Sequence, residues 1–225
     1  MIGYGYGYGV NLGALLNQTP DIIFDGNTIW FDSEDTDSMT IADGKVSEWR
    51  DKFLSGIDLL ADEGNEPTLT DDGVDFVNKY MLTGAKQLYQ PFCAFIAIQL
   101  NVWNSNAVIM DGNASISTRL RMVGVSPNIS ISSATELPAV AAKIGEPMII
   151  RAFFDGANSK VQVDENIASV GNAGPATPGG ITVGCRPGTL DRRANITVDQ
   201  ILIRLIRDTI ENDQLIYDML KKKVA

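Results

Sequence analysis

The sequence predicts an all-β protein, a two-sheet antiparallel sandwich with one C-terminal helix behind an extended N-terminal arm. Asp-Gly pairs, which tight hairpin turns favour, recur at 43–44, 72–73, 111–112 and 155–156, each between apolar or alternating runs. From Asp21 to Ile206 short strand-like runs follow one another with no convincing helical period among them. A helical pattern is found only after Ile206. At 225 residues, with 44% aliphatic and aromatic residues and 20% charged, one large domain with a single core is expected, and such a core needs no staple.

The chain opens on Gly3-Tyr4-Gly5-Tyr6-Gly7-Tyr8-Gly9. An extended backbone places Tyr4, Tyr6 and Tyr8 on one side and bare glycines, Gly5 and Gly7 among them, on the other. Such a segment builds no core of its own, yet glycine admits a close backbone and tyrosine supplies amphipathic contact area. We expect an assembly and anchoring arm that orders against neighbouring subunits; the alternative is a flexible tail in the isolated chain. Asn17 to Asp21, with Pro20, marks a boundary, so residues 1–20 read as arm and linker and residues 21–225 as the domain.

Next comes Ile29 to Lys52, which carries two of the three tryptophans: an apolar step, an acidic loop, an Asp43-Gly44 turn and a second step ending at Trp49. Two short strands joined by a turn are the simplest reading. Further strands are expected at 74–77, 92–100, 107–110, 116–123, 128–131, 147–154, 160–163, 181–184 and 195–206. Three of these runs, 92–100, 147–154 and 195–206, are largely apolar on both alternating faces. A two-layer sandwich covers only one face of each sheet, so another element must lie outside at least one.

The C-terminal segment is the candidate cover. Asp208 with Glu211 three residues on has the form of a capping box, acids fall in the first turn of a helix over 209–223 and Lys221, Lys222 and Lys223 in its last. Ile210, Leu215, Ile216, Met219 and Leu220 form its expected apolar stripe.

The Ile29–Lys52 stretch also resembles the opening of the laminin-G-like, concanavalin A-like jelly-roll domains of many bacteriophage and bacterial surface proteins. There a W-x-D-x-x-D segment precedes a V-x-x-W-x-D-K segment, and Trp30, Asp32, Asp35, Val46, Trp49, Asp51 and Lys52 stand at those places. Residues 149–163, 180–184 and 201–204 and the closing helix look like the family's later strands and end. The resemblance implies a jelly roll over residues 21–225. It also implies a virion setting: other virion proteins as partners, a homo-oligomer on the particle, and synthesis in the host cytoplasm.

A net charge of −10 argues against binding along a nucleic-acid backbone or on an anionic membrane. No apolar run is long enough to span a bilayer, and no export signal is read. Cys93 and Cys185 are therefore expected reduced and in or near the core, and the sequons at Asn17, Asn113, Asn128 and Asn195 are chance matches.

The chain has no histidine, which removes Ser-His-Asp triads, Cys-His nucleophiles and nearly all zinc sites. No phosphate-cradling loop is present, and no strand carries closely alternating acids of the glycosidase type; Glu34-Asp35 and Asp164-Glu165 are adjacent and point to opposite faces of a strand. No cofactor is expected except calcium, for which Asp32, Asp35 and Asp37 are candidate ligands, with a solvated acidic loop as the alternative. For a host-surface glycan the candidate residues are Trp103, Asn104 and Asn106 on one loop, with Tyr80 and Tyr89, because an aromatic face beside amides suits a sugar. The loop 171–180 is a second exposed candidate. The sequence and the resemblance thus lead to a non-enzymatic virion structural protein, the alternatives being a glycan-binding host-recognition module and a cryptic or degenerate glycoside hydrolase.

Overall fold

A computed structural model describes residues 20–53, 55–84, 88–113 and 118–224. The arm at residues 1–19, with Tyr4, Tyr6, Tyr8, Gly5 and Gly7, lies outside the described residues. Every strand pairing is antiparallel, and the strands fall into two layers.

The first layer is ordered β1 (Thr28–Asp32), β17 (Asn195–Arg204), β8 (Phe92–Val102), β13 (Pro147–Phe154), β14 (Ser159–Val163) and β15 (Ser169–Gly171). The strand β8 lies between β13 and β17, as its two apolar faces require. Phe92, Ala94, Ile96, Ile98 and Leu100 point into the main core, while Cys93 and Phe95 point outward into a second cluster. A register shift between Val198 and Gln200 lets both Val198 and Ile201 face the core. At this bulge one edge of β17 changes partner, from β6 (Gly73–Asp75) to β1.

The second layer runs β2 (Met39–Ala42), β3 (Lys45–Trp49), β4 (Leu59–Leu60), β7 (Met81–Thr83), β16 (Ile181–Val183), β9 (Val108–Gly112), β10 (Thr118–Val123), β11 (Asn128–Ser133) and β12 (Val140–Ala141). A hairpin of β5 (Thr68–Thr70) and β6 joins the layers at one corner, from β3 to β17. Between the layers Trp49 is fully buried with Phe31 set edge-on at 5.8 Å, and Phe92 stacks on Phe154 at 4.8 Å. Each such side chain contributes roughly 1.5 to 3 kcal/mol by leaving water.

The outer face of the first layer is covered by the helix α1 (Ile210–Lys223). Ile216, Tyr217, Met219 and Leu220 pack there with Ile23, Trp30, Phe95, Ile149 and Leu202. The expected stripe is rotated: Ile210 is 85% and Leu215 50% exposed, and Tyr217 takes a buried place. The cap is also one residue later. Thr209 accepts from the Asn212 amide, because Asp208 is engaged by the guanidinium of Arg204. Arg204, fully buried, also holds Asp25 and the carbonyl of Ile22, which fixes the start of the described chain to this face. No helix among the described residues is long and apolar enough to cross a membrane.

The Ile29–Lys52 stretch forms three strands where two were expected. The hairpin at Asp43-Gly44 joins β2 to β3, whereas β1 joins the other layer. The tryptophan and aspartate motif is the clasp between them. The Asp51 carboxylate accepts from the Trp30 amide at 2.7 Å and the Ser55 amide at 2.8 Å, and Lys52 pairs with Asp32 at 2.8 Å. Cys93 and Cys185 are both buried and unpaired.

Candidate functional site

No described helix lies on the outer face of the second layer, and the strand register sets a line of side chains across it. Thr40 stands opposite Glu48, Glu48 opposite Leu60, Leu60 opposite Leu82, Leu82 opposite Thr182, and Thr182 opposite Asp111. Arg119 continues the line by pairing with Asp111, and Ser132 stands opposite Arg119. A bulge in the β9–β10 pairing makes this possible. The register steps from Leu120–Met110 to Arg121–Val108, so Ile109 and Met110 both serve the core while Val108 and Asp111 turn outward.

The polar part of this line is a preorganised network. The Asp111 carboxylate, wholly buried, takes the Arg119 Nε at 2.8 Å and the Gly112 amide at 2.9 Å. Burial pushes its carboxyl up to about 6, outweighing the opposing pull of Arg119. Thr182 donates its hydroxyl to Asn113, whose amide nitrogen donates in turn to the Thr83 carbonyl at 2.9 Å. One step along the sheet, Arg121 gives Nη2 to both oxygens of Glu136 at 2.9 Å and Nη1 to the Asn106 side-chain oxygen at 3.1 Å. Glu136 and the Asn106 oxygen fix the direction of the Arg121 guanidinium, and the Asn106 amide nitrogen stands beside it.

The predicted glycan residues divide. Asn106 adopts a left-handed φ of 72° in a turn closed by the Ala107 amide on the Asn104 carbonyl, a conformation asparagine tolerates. Through Asn106 the loop reaches the polar line. Asn104 is exposed, and Trp103 is half-buried against the main core, so only part of its ring is open. Tyr80 is corrected: it is 1% exposed, its hydroxyl donates to Asp62 at 2.6 Å, and burial pushes it up to about 12. Tyr89 is exposed, but it precedes β8 while Trp103 follows it, and eleven strand residues span roughly 35 Å. The five residues therefore do not form one platform.

The loop 171–180 is pinned in place. The Gln90 amide donates to the carbonyls of Gly174 and Ala176 and to Ser133, and its oxygen accepts from Gly156. Gly174, at φ 96°, presses so closely on the Ser133 carbonyl that no Cβ fits.

At the predicted calcium ligands the structure brings ammonium groups. Asp32, nearly buried, pairs with Lys52 and with Lys223 at 3.2 Å, and Asp35 lies 3.7 Å from Lys52. The Asp37 contact is its backbone carbonyl, which accepts from Arg50. Among the described residues no group of three or more His, Cys, Asp or Glu is placed to hold a metal.

Asp111, Arg119, Arg121 and Glu136 were missed in the sequence. Asp111-Gly112 reads there as a turn, but it lies inside β9. The alternation of Arg119 and Arg121 with Leu120 and Met122 was the available signal for an outward polar row.

No protein-family model and no curated protein sequence matches the chain. Its fold is shared with solved structures. Against Trypanosoma rangeli sialidase in complex with sialic acid, the TM-score is 0.60 at 12% identity, covering 87% of this chain and 33% of that one. A mutant of that sialidase displaying trans-sialidase activity gives 0.60 at 13% identity, over 89% and 34%. Domain 4 of AbnA, a GH43 extracellular arabinanase from Geobacillus stearothermophilus in complex with arabinotriose, gives 0.50 at 7% identity, over 88% and 97%. The chain is an all-β antiparallel sandwich with a C-terminal helix. It spans about a third of the length of the sialidase chains.

The expectation of a non-enzymatic chain is corrected by the same finding, because sialidases, which are enzymes, share this fold within their chains. The expectation rested on the missing histidine, on the lack of closely alternating acids along one strand and on the family resemblance. Glycoside-cleaving chemistry runs on carboxylates, and in sialidases on a tyrosine, and such groups can come from strands distant in the chain, so neither the absence of imidazole nor that of a local acidic pattern excludes it.

Proposed function

We propose that this domain binds carbohydrate on the outer face of its second layer, centred on Arg121 and Asn106. The observation that carries this reading is the network in which Glu136 and Asp111 orient two arginines on a face that no described helix covers. Sugar hydroxyls are matched by fixed N–H and carboxylate groups beside a partly open aromatic ring, here Trp103. Asp111 is sealed from solvent, so it positions Arg119 and does not touch the sugar itself. The fold shared with an arabinotriose-bound domain over nearly the whole of that domain supports the choice of ligand class. Display on a bacteriophage particle is the setting we propose. Its support is the Trp30 to Lys52 sequence resemblance alone, and mass spectrometry of purified virions tests it.

Titration calorimetry with arabino-oligosaccharides and sialyl-oligosaccharides tests the binding face. Binding to the native chain is expected, with Arg121→Ala weakening it at least about tenfold, or roughly 1.4 kcal/mol, while the melting temperature stays nearly constant. Binding that survives both Arg121→Ala and Asn106→Ala unchanged would remove the sugar from this face.

A further inference from the structure

We infer that the Gly3–Gly9 segment docks within its own chain, in a groove on the outer face of the first layer beside the start of α1. The groove exists because the helix crosses only part of that face. Strand pairing sets Arg204, Cys93, Phe153, Lys160 and Val170 in one line across the sheet, and the turns of α1 that carry its buried side chains begin only at Ile216. Beyond Arg204 this line is left as a cleft of about 210 Å³, floored by Cys93, Phe95 and Phe153. A cavity of about 150 Å³ already admits benzene, so one tyrosine ring fits.

The walls carry apolar groups that nothing described covers: Val170 is 63% exposed on the edge strand, and Ile210 is 85% exposed on the first turn of the helix. The cations at the rim, Lys160 and Arg207, are balanced by Asp213 and Asp155, and Asp208 is also in the wall. Arg207 lies 5.5 Å from the Phe153 ring, and Lys160 is 3.8 Å from Asp213. This is a surface for an aromatic, uncharged strand, which gains apolar burial on the floor and cation–π contact at the rim.

The chain supplies such a strand at the right place. Residues 1–19 contain no Asp, Glu, Lys or Arg, and they hold three tyrosines at alternate positions, so one extended face is aromatic. The described chain enters on this same face. Ile23 packs in the cluster of Cys93 and Phe95, and the Ile22 carbonyl accepts from the Arg204 guanidinium that also holds Asp208, a residue of the groove wall. The five adjacent strands of that line span roughly 19 Å, and nineteen residues reach about three times farther. A tethered segment meets its own groove at an effective concentration near millimolar, far above that of a second copy in dilute solution.

The test uses the full chain with Gly9→Cys carrying a nitroxide label, since Cys93 and Cys185 are buried and the three tyrosines stay intact. The amide signals at positions 170 and 210 are expected to broaden away in the labelled chain and to stay sharp at the same two positions in a labelled Val170→Asp, Ile210→Asp double variant, whose substituted residues are exposed enough to keep the fold. Mixing labelled chain with isotope-enriched unlabelled chain separates the sources. Broadening across copies would show that a neighbour's arm fills the groove and would overturn the inference, as would sharp Val170 and Ile210 signals in the labelled chain.

Discussion

The two outer faces of this sandwich are built by opposite rules. Behind the first layer, β8 and β13 are apolar on both alternating sets, and a helix seals the second set with Trp30, Phe95, Ile149 and Leu202 beneath it. Ion pairs on that side, such as Arg204 with Asp25 and Asp208, are buried clamps. Behind the second layer, β10 alternates strictly between buried and half-buried residues, so its outward set is polar and stays bare of any described helix. The difference teaches how each face is used: the helix-covered face gives most of its area to packing and keeps a cleft beside the start of α1, whereas the other face holds the charged side chains of Arg119 and Arg121 partly open to water.

The sharpest way to break this comparison is to remove a large side chain from the sealed face. Trp30 is 1% exposed, its indole N–H donates to Gln200 at 3.0 Å, and Lys52 lies over its ring. Trp30→Ala is expected to cost about 3 to 5 kcal/mol in urea unfolding. A loss below about 1 kcal/mol would mean that the helix side is no core at all.

A second experiment probes Asp111, a buried acid on the outer side of the second layer. Asp111 is pushed up to about 6 in the folded protein, against about 3.8 unfolded, so the folded state binds its proton more tightly. Its contribution to stability is then full below about pH 3.8 and is lost as pH rises through 6. The size is roughly 2 to 3 kcal/mol. Asp199 and Asp75 are also raised by burial, and Asp25 is held down to about 2 by Arg204, but all three are common to a comparison with Asp111→Asn. The difference in unfolding free energy between the two proteins should therefore slope between pH 4 and 6, and a flat difference would place Asp111 in contact with water.

A third prediction concerns the end of the helix that borders the groove. Thr209 caps α1 through Asn212, so Thr209→Ala should lower stability by about 1 kcal/mol, while Asp208→Ala should cost more because it strips a partner from the buried Arg204. Equal losses would return the cap to Asp208, where the sequence had placed it.

How much of this was legible follows from the range of the forces involved. The runs at 92–100 and 147–154 carry their burial on both faces in their own residues, and so does the need for a cover, which the helical period after Ile206 supplies. The Asp43-Gly44 hairpin is equally local, with Asp43 and Gly44 at φ 50° and 74°. Asp111-Gly112 has the same two letters and is a strand, because β16 and β10 pair on either side of it and that pairing is long-range. Strands of two or three residues such as β4, β7 and β12 are too short to show a period, so the second layer and its outward line could not be assembled from sequence. Tyr80 failed as a sugar platform for a related reason: its burial depends on Asp62 and Arg193, far apart in the chain.

The smallest expected effect is the most discriminating for the bare face. Arg121 and Glu136 are paired at 2.9 Å with side-chain exposures of 18% and 40%, so water screens the pair and its geometry is held mainly by the two-pronged contact. A double-mutant cycle of Arg121→Ala and Glu136→Ala should give a coupling of about 0.2 to 1 kcal/mol in stability, the range of exposed pairs. If the pair exists to aim the guanidinium, Glu136→Ala should leave the fold nearly untouched and still weaken sugar binding, because Arg121 loses its direction while keeping its charge. A coupling above about 2 kcal/mol would make the pair a clamp like Arg204, and the two faces would then differ in cover but not in purpose.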